Sequence, residues 1–244
     1  RAKWQWKDDV VKTFKKELLP KGKRSGKVLY DGKEIEQLKD LQSVKEVGYL
    51  FQNPSAQMVM DTVWHEIAFG LENLGMPYEQ MKRTVGEIVN YFDLQKIYHE
   101  DTDKLSGGQK QLVNLAAVMA MHPKVLILDE PTAQLDPAAR KDFLVMLQKL
   151  HKEFGLTIIL TSHNLEDVME MSDECVILDD GKLSNREIRK RLQDIFKNTS
   201  SIGTVSATDS SAGREISDRT DLFDGRSKRT DQEKRISVDK ENTF

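Results

Sequence analysis

Short continuous apolar runs are the feature that most limits the folds open to this chain. Each run is rich in Val, Ile and Leu and is bounded by turn-forming or charged residues, which is typical of strands buried on both faces of a parallel sheet. Stretches with helical spacing separate the runs, and this alternation predicts βαβ crossovers and an α/β fold. The predicted strands are Val47 to Phe51, Val125 to Leu128, Thr157 to Thr161 and Cys175 to Leu178. The predicted helices are about Tyr78 to Phe92, Ser106 to Met121, Pro137 to Glu153 and Asn164 to Met171.

The 244 residues divide into three unequal parts. Residues 18–183 carry these patterns and form the predicted globular domain, in which Asp31-Gly32 predicts a hairpin turn. Residues 184–244 contain 15 Ser/Thr, 13 Lys/Arg and 11 Asp/Glu in 61 positions. This composition predicts a disordered tail, because so few apolar groups do not offset the entropy of the chain. Residues 1–17 fit neither pattern.

Charge and composition exclude several classes of protein. Lys and Arg number 37 against 40 Asp and Glu, so the net charge of −3 gives no pull toward nucleic acid or an anionic membrane. Trp4 and Trp6 have no basic face beside them, and we expect no nucleic-acid partner. The single Cys175 excludes an internal disulfide framework and fits the cytosol. No apolar run approaches the roughly 18 residues of a membrane span, so a membrane role would require a partner.

Two adjacent carboxylates follow the apolar strand at Val125 to Leu128. Ligands of open parallel sheets bind beyond the carboxyl ends of strands, so Asp129 and Glu130 are predicted to project into a site. Asp129 is placed to hold Mg²⁺ and Glu130 to polarise an attacking water. Taken alone, the pair is better explained as the solvated end of a strand, by roughly two to one.

Neighbouring motifs weaken that alternative. Leu105-Ser106-Gly107-Gly108-Gln109 opens a predicted helix: Ser106 is suited to the N-cap, and Gly107 and Gly108 let phosphate oxygens approach the backbone N–H groups there. The alternative for this string is a plain glycine-containing cap. Three further motifs stand at or after strand ends, namely Phe51-Gln52-Asn53-Pro54, Ala133-Gln134-Leu135-Asp136-Pro137 and Thr161-Ser162-His163.

Together these motifs resemble those of the ATPase subunits of ATP-binding cassette (ABC) transporters. LSGGQ at 105–109 is similar to the family signature, VLILDE at 125–130 to its Walker B strand, and Gln52, Asp136 and His163 to its Q-loop, D-loop and switch residues. The resemblance covers residues 18–183. It implies a P-loop NTPase-like fold with a mostly parallel sheet and a helical subdomain at about 55–102. The strings around Gln52 and Ala68 to Asn73 resemble the energy-coupling factor branch, which imports cobalt and vitamins.

The resemblance also implies a mechanism with ATP and Mg²⁺. Asp129 and Gln52 would contact the metal, Glu130 would be the general base and His163 would contact the γ-phosphate. Two subunits would form a head-to-tail dimer, homomeric or heteromeric, in which Ser106, Gly107, Gly108 and Gln109 of one face ATP held by the other, with Asp136 beside them. The helical subdomain would dock on integral membrane subunits, which places the protein at the cytoplasmic face of the membrane as a peripheral subunit.

The phosphate-binding loop of this family does not occur in the 244 residues. No string fits G-x-x-x-x-G-K-[ST], and the nearest, Gly22 to Val28, is one residue short and ends without a hydroxyl, so we interpret it as a basic turn. Shifting the N-terminal codons by one nucleotide forces glycine at Trp4-Gln5 and at Trp6-Lys7, and the shifted peptide can read G-P-N-G-S-G-K-T-T-L. We hypothesise that residues 1–17 are a frameshifted Walker A segment.

Two functions follow and remain open. The first is an ATP-hydrolysing subunit that powers an importer of a metal ion or vitamin through membrane partners. The second is a catalytically inactive ABC-like subunit, or the product of a decayed gene, that lends its signature face to an intact neighbour. A non-transport ABC ATPase fits less well, because the chain has one cassette and a Q-loop segment of importer type.

Overall fold

A computed structural model describes residues 5–23, 25–164, 171–179, 182–183, 203–207 and 236–238. The helices in these ranges are α1 (Gln5–Lys12), α2 (Asp40–Glu46), α3 (Pro54–Gln57), α4 (Val63–Asn73), α5 (Tyr78–Tyr91), α6 (Gly107–Ala120) and α7 (Pro137–Phe154). The strands are β1 (Val28–Tyr30), β2 (Lys33–Glu34), β3 (Val47–Leu50), β4 (Val125–Leu128), β5 (Thr157–Leu160), β6 (Glu174–Asp179), β7 (Lys182–Leu183), β8 (Gly203–Ala207) and β9 (Ile236–Val238). Short 3-10 helices lie at Lys16–Leu18, Ile35–Gln37, Gln95–Ile97 and Thr102–Lys104.

The larger sheet has six strands in the order β3-β4-β5-β8-β6-β7. All neighbouring pairs are parallel except β6 with β7. Val47 of β3 lies opposite Val125 of β4, which lies opposite Thr157 of β5, so these three strands end level with one another. The predicted α/β fold with a mostly parallel sheet is confirmed, and the residues that follow β3, β4 and β5 meet at one edge.

A second, antiparallel sheet has the order β2-β1-β9. Tyr30 pairs with Lys33, which leaves Asp31 and Gly32 as a two-residue turn with φ values of 51° and 74°. Positive φ at both central positions is the type I′ geometry that suits the twist of a hairpin, and glycine accepts it without steric cost. The predicted hairpin is confirmed.

Helix α6 is the centre of the helical layer. Its buried residues face every direction around the helix, because α4 and α5 pack on it from one side and the large sheet from the other. Helix α4 presents Val63, Ile67 and Leu71, and α5 presents Met81, Val85 and Val89, each at a spacing that puts them on one helix face. Both lie in the region 55–102 that the family resemblance implies to be a helical subdomain. The predicted helix from Asn164 to Met171 falls mostly outside the described residues.

The N-terminal segment takes part in a second core cluster. Val11 and Phe14 are buried against residues of β1, β3, β4 and β5, including Tyr30, Val47 and Ile127. The amine of Lys15 donates hydrogen bonds to the Ser43 and Val47 carbonyls at 2.8 and 2.6 Å. The packed core therefore includes residues before Leu18, among them Val10 and Val11.

Two short strands lie in the C-terminal segment for which the composition predicts a tail. Strand β8 lies between β5 and β6 and is parallel to both, and β9 adds to β1. For these two stretches the structure differs from the predicted disorder. Thr204, Val205, Ile236 and Val238 are β-branched, which favours strands; β8 joins β5 to β6 within the large sheet, and β9 adds to the edge of β1. The other residues of the segment lie outside the described ranges.

Candidate active site

Asp129 lies directly after β4, with its side chain largely buried. Its N–H donates to the Leu50 carbonyl at 2.9 Å, which extends the pairing with β3 by one residue. The Thr161 hydroxyl donates to Oδ1 and the Tyr49 hydroxyl donates to Oδ2, each at 3.1 Å. Because both carboxylate oxygens accept a hydrogen bond, the orientation of the Asp129 side chain is fixed from two neighbouring strands.

Glu130 adopts a backbone conformation that side-chain-bearing residues rarely take, with φ at 44°. Such a conformation costs on the order of 1–2 kcal/mol and persists where the surroundings enforce it. Here the Glu130 N–H donates to the Thr161 hydroxyl at 2.9 Å, which holds the turn after β4 against β5. The turn directs the carboxylate along the edge of the sheet, where its exposed side-chain fraction is 14%.

Gln52 and His163 bracket the Glu130 carboxylate. Gln52, two residues after β3, donates from Nε2 to Oε2 at 2.9 Å. His163, three residues after β5, contacts Oε1 through Nε2 and has an exposed side-chain fraction of 47%. Four of the predicted site residues, Gln52, Asp129, Glu130 and His163, thus come together at the carboxyl ends of three adjacent strands, where α/β sheets bind ligands.

The LSGGQ string forms the predicted helix start. Ser106 is the N-cap of α6, and its Oγ accepts from the Gln109 N–H at 3.3 Å while Gln109 Oε1 accepts from the Ser106 N–H at 2.9 Å. This capping box satisfies two backbone donors of the first turn. The predicted N-cap is confirmed. A Cβ added to Gly108 would approach the Cβ of Ala139 to 3.1 Å, so glycine here lets α6 lie close to α7.

Asp136 caps the neighbouring helix α7. Its Oδ1 accepts from the N–H groups of Ala138 and Ala139, both at 3.0 Å, and Pro137 occupies the first helical position. The Gln134 carbonyl lies 3.7 Å from the position that a Cβ on Gly107 would take, so the loop before Asp136 adjoins the start of α6. Ser106, Gly107, Gln109 and Asp136 are exposed and lie together at the starts of α6 and α7.

Two residues of the acid cluster, Thr161 and Tyr49, are not among the predicted site residues. Thr161 bridges the two acids through a single hydroxyl, and Tyr49 donates to Asp129 from inside β3. The sequence position of Thr161 could have indicated its role, because it ends the strand that leads to His163. Nothing in the local sequence indicates the role of Tyr49, which has the pattern of an apolar strand residue.

A family model for "ABC transporter" matches residues 9–133, half of the chain. These residues include Gln52, the capped start of α6 and the acid pair. The chain belongs to the ABC transporter family. The resemblance in the motifs is thereby confirmed, and the matched segment begins within the N-terminal residues for which we hypothesise a shifted reading frame.

Individual relatives agree with this membership. A Bacillus anthracis protein named "Putative ABC transporter ATP-binding protein" is 48% identical over 177 residues, covering 72% of this chain and 32% of that protein. An energy-coupling factor transporter ATP-binding protein of Clostridium perfringens, EcfA2, is 38% identical over 187 residues, covering 74% and 64%. The ABC-family chain thus spans about a third of the length of the Bacillus relative and just under two thirds of EcfA2.

A solved structure has the same fold. It is described as CbiO1 from Clostridium perfringens, part of the ABC transporter complex CbiONQ, and it superimposes with a TM-score of 0.67 and 30% identity over 77% of this chain and 74% of that one. Among the described residues of the ABC-family chain, no helix has the length and apolar character needed to cross a membrane.

Proposed function

We propose that this chain binds and hydrolyses ATP for an importer of the energy-coupling factor type, which takes up a metal ion or a vitamin through integral membrane subunits. The observation that carries the proposal is the Glu130 carboxylate, held between Gln52 and His163 and next to an oriented Asp129. The similarity to EcfA2 and CbiO1 supports the importer type. In this role the protein would be a peripheral subunit at the cytoplasmic face of the membrane.

Glu130 is suited to accept a proton from water. Its two oxygens contact Gln52 and His163, so a water molecule attacking the γ-phosphate would replace one of these contacts. Positioned carboxylates of this kind contribute about 10²–10⁴-fold to a reaction rate. His163 has a more exposed side chain than Glu130 and would turn from Glu130 toward a phosphate that enters from solvent.

The donor set fits Mg²⁺. In nucleotide sites this ion is held by one or two carboxylates together with the phosphates, and the oriented Asp129 carboxylate supplies such a ligand, with the Gln52 amide oxygen as a second. When bound, Mg²⁺ would neutralise charge on the phosphates of ATP. Asp129 and Gln52 would hold the ion in place, and Glu130 would take the proton from the attacking water.

We further propose that the exposed group at the starts of α6 and α7 serves a second subunit. Ser106, Gly107, Gly108 and Gln109 surround a helix N-terminus, where backbone N–H groups favour an anion. A second ABC subunit, arranged head to tail, would present its ATP to this group and to Asp136. The two groups of site residues would then serve two nucleotides.

A substitution at Glu130 tests the hydrolytic role. In the 244-residue chain, Glu130→Gln should lower phosphate release by at least about 100-fold, because it removes the general base. Glu79→Gln, at an exposed position in the first turn of α5, is the matched control and should leave the rate unchanged. Equal rates in the Glu130→Gln variant and the parent chain would refute the role of Glu130.

A second candidate function rests on the N-terminal residues. The 244 residues contain no Walker A string, and residues Gln5–Lys12 form α1. In this candidate the chain does not hydrolyse ATP and only lends its Ser106 face to an active partner. Replacing residues 1–10 by the shifted reading G-P-N-G-S-G-K-T-T-L should then create micromolar ATP affinity that the parent chain lacks, measured by equilibrium dialysis.

Mixing experiments separate the two candidates. In a heterodimer with an active ABC subunit, an inactive chain would tolerate Glu130→Gln with no change in ATP turnover, whereas Ser106→Arg would stop turnover at the partner's nucleotide. An active chain would lose part of the turnover on Glu130→Gln as well. Turnover unaffected by both substitutions would contradict both candidates.

A further inference from the structure

Gln52 sits in a short segment with no regular structure of its own. Strand β3 ends at Leu50 and α3 begins at Pro54, so Phe51, Gln52 and Asn53 connect them. Gln52 is an exposed residue, yet its side chain makes a 2.9 Å hydrogen bond to Glu130. Something other than a strand or helix must therefore fix the position of this segment.

The amide of Gln57 supplies that constraint. Its Oε1 accepts from the Phe51 N–H at 2.9 Å, and its Nε2 donates to the Tyr49 carbonyl at 3.3 Å. Leu50 directs its carbonyl toward β4, where it accepts from Asp129. Backbone groups of neighbouring strand residues point to opposite sides, so those of Tyr49 and Phe51 point to the outer edge of β3, which is an edge strand of the sheet. The Gln57 side chain takes the place of a neighbouring strand there.

Helix α3, which carries Gln57, is itself anchored to α6. The buried Asn114 donates from Nδ2 to the Pro54 carbonyl at 2.9 Å, and the Lys110 amine donates to the Ser55 hydroxyl at 3.3 Å. Asn53 caps α3 by accepting from the Ser55 N–H at 3.1 Å. The segment 51–57 is thus fixed at both ends, to β3 through Gln57 and to the α6 helix through Pro54 and Ser55.

The geometry points to Gln57 as a positioning residue for Gln52, an inference that rests on the proposed function only for its effect on turnover. Gln57 hydrogen-bonds to the backbone of Tyr49 and Phe51, on both sides of Leu50, and so fixes the backbone of Phe51 beyond the end of β3. The next residue, Gln52, is thereby held where its side chain reaches Glu130. It also joins Gln52 to α6, so a displacement of α6 moves the amide that contacts Glu130. Gln57 itself touches none of the reacting groups.

Two NMR signals test this inference in the full chain. Gln57→Ala should speed hydrogen exchange of the Phe51 backbone amide by about fivefold, the order expected for one hydrogen bond. It should also shift the Gln52 side-chain amide resonances to the positions that they take in Glu130→Ala, where the acceptor is gone. The second signal distinguishes positioning of Gln52 from a merely structural role at the strand edge.

Two further variants complete the design. Gln57→Glu retains an oxygen that accepts from Phe51 and loses only the longer donation to the Tyr49 carbonyl, so it should preserve most of the Phe51 protection and keep the Gln52 resonances in place. Gln95→Ala removes an exposed glutamine whose side-chain amide donates to Asn90, away from β3, and it should change neither signal. A Gln52 resonance that stays in place in Gln57→Ala, or that moves in Gln57→Glu while Phe51 remains protected, would overturn the inference.

The same variants separate this inference from the proposed function. If the chain hydrolyses ATP, Gln57→Ala should lower kcat and Gln57→Glu should restore it. If no variant turns over ATP, the proposed function fails, but the two NMR signals still decide the role of Gln57.

Discussion

The hydroxyl of Thr161 should be worth more to stability than its size suggests. It is buried, it donates to Asp129 and it accepts from the Glu130 N–H. Thr161→Val keeps the shape of the side chain but removes a hydrogen bond to a carboxylate, worth about 1.5–3 kcal/mol, and leaves a backbone donor unpaired at a cost of about 1–3 kcal/mol. After a partial gain from the added methyl group, we expect a net loss of about 3 kcal/mol in the free energy of unfolding.

Urea unfolding followed by circular dichroism measures this loss. Thr161→Ser is the matched control, because it keeps the hydroxyl and removes one methyl group, which costs about 1 kcal/mol. The unfolding midpoint should fall in the order parent, Thr161→Ser, Thr161→Val, with the dependence on urea unchanged. If Thr161→Val costs no more than Thr161→Ser, the bridging hydroxyl does not hold the acid pair and our description of the site is wrong.

Three other predictions concern single residues. Burial raises the pKa of Glu46, but hydrogen bonds from Lys124, Tyr30 and Gln42 outweigh burial and lower the pKa to about 2. The stability that this gives is present above about pH 4.5 and is lost as the pH falls toward 2. Glu46→Gln should therefore flatten the acid side of a plot of the urea midpoint against pH, and an unchanged plot would contradict this. Glu130→Gly should be about 1 kcal/mol more stable than Glu130→Ala by thermal unfolding, because only glycine accepts φ of 44° without strain, and the reverse order would place the strain elsewhere. Ser106→Ala should cost about 1 kcal/mol through loss of the α6 cap, and its effect should not add to that of Gln109→Ala; full additivity would argue against the capping box.

Much of the site could be predicted because its residues stand at fixed places in local patterns. The acids follow an apolar strand, and ligands of parallel sheets bind beyond the carboxyl ends of strands, so the sequence predicts that Asp129 and Glu130 project into a site. Ser106 precedes a helical pattern and has Gln109 three positions later, which is the sequence signal of a capping box.

Other features depend on the order of strands, which local patterns do not contain. Tyr49 reads as one more apolar strand residue, and only the pairing of β3 with β4 brings its hydroxyl to Asp129. Val11 and Phe14 join the core through contacts with strands far along the chain. The positive φ of Glu130 arises from the turn after β4 and its bond to Thr161, neither of which the residue type indicates.

The position of β8 has a consequence for the order in which the protein is made. Strand β5 is complete at Leu160, but the strand that covers its open edge begins only at Gly203, 43 residues later. During synthesis on the ribosome, the edges of β5 and β6 therefore remain uncovered until that stretch has emerged from the exit tunnel. Uncovered strand edges are templates for pairing with other chains, so during this interval the nascent protein is exposed to aggregation at both edges.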